Sequence, residues 1–165
     1  LIGVFGGTLG AVTGGLLVDR LARKDPRWQL RVPVIGLVIA LPTQLAFVLW
    51  PETHRIGGPD GLPFALVFMG LSAVFGSFWI APSYAAVQNL VPPHWRTQAS
   101  ALMLLAINLL GLGLGPLVVG MLSDYFAYTG VNSIRWALVV VLSTCIFGAW
   151  CYWRGSIPYA RAMSR

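Results

Sequence analysis

Charged residues fall in short groups along the chain and leave five stretches without Asp, Glu, Lys or Arg: Leu1–Val18, Val32–Pro51, Gly61–Trp95, Thr97–Ser123 and Trp136–Trp153. A helix needs about 20 apolar residues to cross a hydrocarbon core about 30 Å thick, and every stretch is close to that length or beyond it. The pattern predicts five transmembrane helices, at approximately 1–20, 32–51, 63–91, 97–123 and 135–154. The third stretch holds 35 residues, but dividing it at Pro82 would leave only Ser83–Val91 before Pro92 and Pro93. It therefore reads as one long helix kinked at Pro82.

Composition narrows the class. Of 165 residues, 57% are apolar and 10% charged, against roughly 25% charged in soluble domains, so too few charges remain to solvate a surface. Low polarity and seven Trp exclude disorder, and two Cys cannot staple a disulfide scaffold. The fold class expected is all-α integral membrane. The chain starts with Leu inside an apolar run, with neither a signal peptide nor a basic flank, and is expected to be a fragment.

The net charge of +6 could suit nucleic acid, but the basic residues lie between apolar runs and not on a solvated face interleaved with aromatics. No nucleic-acid partner is expected. Membrane topology accounts for them instead. Arg20, Arg23, Lys24, Arg27, Arg31, Arg96, Arg154, Arg161 and Arg165 fall on one side of an alternating bundle, and Arg55 and Arg135 on the other with Glu52, Asp60 and Asp124. Short cytoplasmic loops retain Lys and Arg, so the nine-to-two split places the C-terminus in the cytoplasm, in a plasma (inner) membrane.

Asp19 closes the first helix just before a basic cluster, where the helix dipole favours cations. Its carboxylate calls for an external partner, either the adjacent basic residues or another helix N-terminus; an incidental acid in a solvated loop explains the spacing equally well. Gly3, Gly7, Gly10 and Gly14 share one face of the first helix, and Gly111, Gly115 and Gly120 thin the fourth, which suits close helix approach. Pro116 beside Gly115 adds a kink. Pro82, Gly111, Gly115, Pro116 and Gly120 are the candidate flexing positions.

Polar residues inside a span are costly unless satisfied or facing a cavity. Ser72, Gly76, Trp79 and Ser83 share one face of the third helix, Ser77, Tyr84 and Gln88 form a second stripe, and Asn108 lies midway along the fourth. Trp79, Ser83, Tyr84, Gln88 and Asn108 are the candidate substrate cavity. Bonds to their own helix backbone are the simpler role for the serines, and Thr43 and Gln44 beside Pro42 suit kink and packing roles.

Catalysis finds little support. His54 and His94 lie in loops on opposite sides, Cys145 and Cys151 point in different directions as apolar fillers, and no nucleophile stands beside a base. No catalytic residue, metal or cofactor is expected.

The segment Gly15-Leu-Leu-Val-Asp19-Arg20-Leu-Ala22-Arg23-Lys24 resembles the loop motif of the major facilitator superfamily of secondary transporters, with Ala22 where the family usually has Gly. The resemblance implies a twelve-helix fold of which this chain supplies helices 8 to 12, a partial C-terminal bundle. It also implies that Gly15, Asp19, Arg20, Arg23 and Lys24 form a cytoplasmic gate, and that Asp19 pairs with a helix terminus in the missing N-terminal half. Pro82–Ala101 and Asn108–Asp124 are similar to the Spinster-like branch, associated with lipids and lysolipids. Alternating-access transport of a small molecule, lipid-like or an organic anion, is the expected function, with membrane lipids as surroundings and no enzyme activity. A membrane-embedded lipid-modifying enzyme using His94 or Asp124, and a noncatalytic scaffold subunit, are the alternatives.

Overall fold

The computed structural model describes residues 2–49, 55–56, 62–63 and 65–163. Its elements are α1 (Ile2–Ala22), α2 (Trp28–Leu49), a two-residue strand pair β1 (Arg55–Ile56) and β2 (Leu62–Pro63), α3 (Ala65–Gly76) and α4 (Ile80–Asn89). After a 3-10 turn at Pro93–Trp95 come α5 (Arg96–Ala106), a π-helical segment Ile107–Leu114, α6 (Gly115–Tyr125), a second 3-10 turn at Ala127–Asn132 and α7 (Ser133–Met163). The strands pair antiparallel, Arg55 opposite Pro63 and Ile56 opposite Leu62. They form a tie in a loop whose remaining residues, His54 among them, lie outside the described ones.

The chain is an all-helical membrane bundle. By length and composition, Trp28–Leu49, Ala65–Asn89, Pro93–Tyr125 and Ser133–Met163 can each cross a bilayer, and the 21 residues of α1 reach about 30 Å at 1.5 Å per residue. α2 packs against α1, α3, α4 and α7, α1 packs against α3 and α4, and α6 packs against α7. The buried core is small, built on Val18, Val32 and Phe78 with Leu21, Trp28, Val74 and Phe75 around it. Large apolar side chains such as Leu9, Leu102, Leu112, Met121 and Phe147 are exposed, as expected where lipid tails cover the outer face.

Two helix ends depart from the charge-free stretches. α2 begins at Trp28, ahead of Arg31, because Asp25 Oδ1 accepts the Arg27 N–H at 2.9 Å and Pro26 occupies the first turn, where its missing N–H costs nothing. α7 runs on past Arg154 to Met163, because Ser156 and Tyr159 bury themselves against the bundle.

The third span is interrupted at Ser77–Trp79, one turn before the expected kink at Pro82. Pro82 has no N–H for the Phe78 carbonyl and its ring presses on that residue, so the strain is taken up upstream. There the bonds tighten to i→i−3: Ser77 N–H to Val74 O at 3.3 Å, Phe78 N–H to Phe75 O at 3.2 Å and Ile80 N–H to Ser77 O at 3.2 Å. The fourth span departs in the opposite sense, widening to π turns over Ile107–Leu114 directly before Gly115 and Pro116.

The glycine face of α1 lies on α3. A Cβ at Gly14 would stand 3.0 Å from the Phe78 Cα and one at Gly6 2.9 Å from the Ala73 Cβ, while Gly3 and Gly7 have looser neighbours. Among the described residues nothing lies within 4 Å of a Cβ built on Gly111, Gly115 or Gly120. No residue of α5, the π segment or α6 is buried.

Candidate functional site

The structure gathers the ends of α1, α4 and α7 and the start of α2 at one end of the bundle. Gln29 Nε2 donates to the Pro82 carbonyl at 3.1 Å, Asn89 Nδ2 donates to the Tyr159 hydroxyl at 3.2 Å, and Leu30 touches the space above Gly155. Arg20, Arg23, Lys24, Arg27, Arg31, Arg96, Arg154 and Arg161 therefore share that end, which is the arrangement alternating spans require.

Within it, Asp19, Arg20, Arg23 and Lys24 are all exposed. Asp19 makes no ion pair or hydrogen bond among the described residues; in this loop Arg27 Nε pairs instead with Asp25 Oδ2 at 4.0 Å. Gly15 and Asp19 instead border a cleft of about 150 Å³ against Ala81, Pro82 and Ala85 of α4, floored by Gln29. The adjacent basic residues are thus not the partner Asp19 takes in this structure.

The five cavity residues do not converge. Ser83 is buried and shares a 2.6 Å hydrogen bond with the Tyr152 hydroxyl, at the wall of a cavity of about 560 Å³ between α2, α4, α5 and α7 that Leu30, Ala86, Met103 and Tyr159 also line. Trp79 lines a separate space of about 180 Å³ with Leu37, Gln44 and Cys145. Trp79 and Ser83 are one helical turn apart, with the Ser83 N–H donating to the Trp79 carbonyl at 3.0 Å, yet their side chains border different spaces. Gln88 Nε2 donates to Ser100 Oγ at 2.9 Å, tying α4 to α5, and Tyr84 is half-buried. Asn108 is exposed and donates to the Leu104 carbonyl of its own helix at 2.8 Å.

Hydroxyls elsewhere in the spans are satisfied locally. Ser72 bonds Met69 O at 2.9 Å, Ser77 bonds Ala73 O at 2.9 Å and Thr43 bonds Ala40 O at 2.8 Å, which is the backbone role available to Ser and Thr in a helix. Gln44 faces the Trp79 space. His94 is exposed with its ring 5.9 Å from that of Trp95, and Asp124 is exposed at the far end of the same span. Cys145 is half-buried and Cys151 exposed. Among the described residues no group of His, Cys, Asp or Glu could hold a metal ion.

Sequence reasoning passed over Gln29, Asn89, Tyr152 and Tyr159, the residues that cross-link this end. The available signal was modest: Gln29 and Asn89 are polar residues next to apolar runs, and Tyr152 and Tyr159 are seven apart on one helix face.

No protein-family profile matches the chain, and no solved structure matches it. Over 158 residues, 94% of its length, the chain is 39% identical to an MFS-type efflux pump of Mycolicibacterium smegmatis (strain ATCC 700084 / mc(2)155), and it spans 34% of that relative's length. Together with an all-helical bundle of membrane-crossing length, this similarity supports membership of the major facilitator superfamily.

Proposed function

We propose that the chain is the C-terminal bundle, helices 8 to 12, of a secondary transporter that moves a small amphiphilic molecule by alternating access, with its C-terminus in the cytoplasm of a plasma (inner) membrane. The observation that carries this reading is that two membrane-crossing helices are interrupted partway, at Ser77–Trp79 and at Ile107–Leu114. Discontinuous helices are a device by which transporters form midplane sites and bend around them. A static scaffold gains nothing from π turns in a span that buries no residue. The similarity to a protein named as an efflux pump favours export, and the Spinster-like pattern of Pro82–Ala101 and Asn108–Asp124 favours a lipid-like or organic-anion substrate.

In this reading Asp19 and the basic residues after it form the inner gate, and the exposed carboxylate, without a partner among the described residues, is free to meet a helix N-terminus of the other half. Trp79 and Asn108 then face the central path only when that half is present, and the protein performs no covalent chemistry.

The test uses everted membrane vesicles containing the full-length protein, energised and offered a fluorescent lysophospholipid and a lipophilic organic anion in turn. Accumulation of either above vesicles lacking the protein is the expected result. If neither accumulates while the protein is correctly inserted, the transport reading is overturned.

A further inference from the structure

Two arginines at the basic end of the bundle rest on tryptophan rings of α7. The Arg31 guanidinium, reaching across from α2, lies 5.0 Å from the Trp153 ring centroid, and that of Arg154 lies 5.6 Å from Trp150. Trp150 and Trp153 are three residues apart and so belong to one helix face. Both are about half exposed, at 55% and 52%. Phe147 stacks on Trp150 at 5.8 Å, and with exposed Ile146 it continues the apolar face toward the middle of the span.

An arginine over an indole satisfies the ring's quadrupole but leaves its in-plane N–H donors open. Arg31 Nε is buried and has no hydrogen-bond partner among the described residues, so this guanidinium is not neutralised from within the bundle. No acid of this end supplies one: Asp25 is engaged with Arg27, and Asp19 opens on the cleft against α4. Two cations thus stand at the membrane boundary on an aromatic, outward-facing surface without an anionic partner among the described residues.

We infer that this face of α2 and α7 is a headgroup site for an anionic phospholipid of the surrounding leaflet. The phosphodiester sits between Arg31 and Arg154, and the acyl chains run along Trp150, Phe147 and Ile146. Free phosphate would gain the charge interaction alone, whereas a lipid also covers the exposed aromatic stripe. The site requires a bundle embedded in a bilayer and is independent of what, or whether, the protein transports.

Native mass spectrometry of the full-length protein in detergent tests it, with dioleoyl phosphatidylglycerol, dioleoyl phosphatidylcholine and inorganic phosphate as probes. Phosphatidylglycerol is expected to bind more tightly than phosphatidylcholine. The paired variant Arg31→Gln, Arg154→Gln should raise the phosphatidylglycerol Kd about tenfold, the loss of a charge-assisted contact, and leave phosphatidylcholine binding unchanged. Arg154→Gln alone, on an exposed side chain, should give about a threefold rise and keeps the test open if the double variant fails to fold. Equal phosphatidylglycerol affinity in the variants and the parent protein overturns the site. Displacement of the lipid by millimolar phosphate also overturns it, in favour of a free-anion site.

Discussion

The backbone of Gly10 lies directly against the carbonyl of Val74, so that α1 and α3 meet main chain to main chain. A Cβ at Gly10 would overlap that carbonyl, and neither atom belongs to a flexible side chain that could move aside. Gly10→Ala should therefore separate the two helices and destabilise the bundle by about 1–3 kcal/mol, the range for overpacking. Thermal unfolding of the full-length protein in detergent reads this, with Gly111→Ala as the control, since that position opens onto free space. Equal unfolding temperatures for the two variants would refute the contact.

Ser83 and Tyr152 offer a test of the cavity wall. Their hydroxyls are 2.6 Å apart across α4 and α7, in a setting where interhelical hydrogen bonds average about 0.6 kcal/mol. A double-mutant cycle with Ser83→Ala and Tyr152→Phe should return a coupling of about that size, measured by unfolding of the bilayer-embedded protein. A coupling of zero means the bond is not made in the membrane.

The bundle was legible in the sequence because charges are expelled from hydrocarbon, and the gaps between Arg31, Arg55, Arg96, Arg135 and Arg154 mark where the chain must cross. Helix ends were less legible for the same reason. Arg31 and Arg154 lie within helices, with their long side chains reaching the boundary, so a charge does not end a helix. Pro82 announced a kink but not its position, since the missing N–H acts on the preceding turn. Trp79 and Ser83 lie one helical turn apart yet border different spaces, Trp79 toward Leu37, Gln44 and Cys145 and Ser83 toward Tyr152, a division set by how α2 and α7 pack around the span and not by the spacing. Tyr152 and Tyr159 could not be chosen from other aromatic residues without knowing that α7 faces α4.

Pro116 offers a direct test of the π segment. Its absent N–H leaves the Leu112 carbonyl without its helical donor, and the widened turns of Ile107–Leu114 end at this point. Pro116 is exposed, so Pro116→Ala opens no cavity and restores the donor. Amide hydrogen exchange across Ile107–Gly115 of the full-length protein should slow, and transport should fall if this helix must bend. Unchanged exchange would show that the π turns have another cause.

Asp19 and Asp25 lie six residues apart at one end of the bundle and should separate stability from function. Asp25 caps the first turn of α2 through the 2.9 Å bond from the Arg27 N–H, so Asp25→Ala should cost about 1 kcal/mol of stability and leave transport per folded molecule unchanged. Asp19 is exposed, has no partner among the described residues and stands near the C-terminus of α1, where its charge opposes the helix dipole. Asp19→Asn should leave the unfolding temperature the same or a few tenths of a kcal/mol better. Transport should nevertheless fall about tenfold, because a gate that loses one ionic contact shifts its conformational balance by about 1.4 kcal/mol. Paired measurements of unfolding temperature and vesicle accumulation on the two variants decide the matter. If Asp19→Asn destabilises the protein as much as Asp25→Ala, or transports at the parent rate, then Asp19 is an ordinary loop acid and the inner gate must be sought elsewhere.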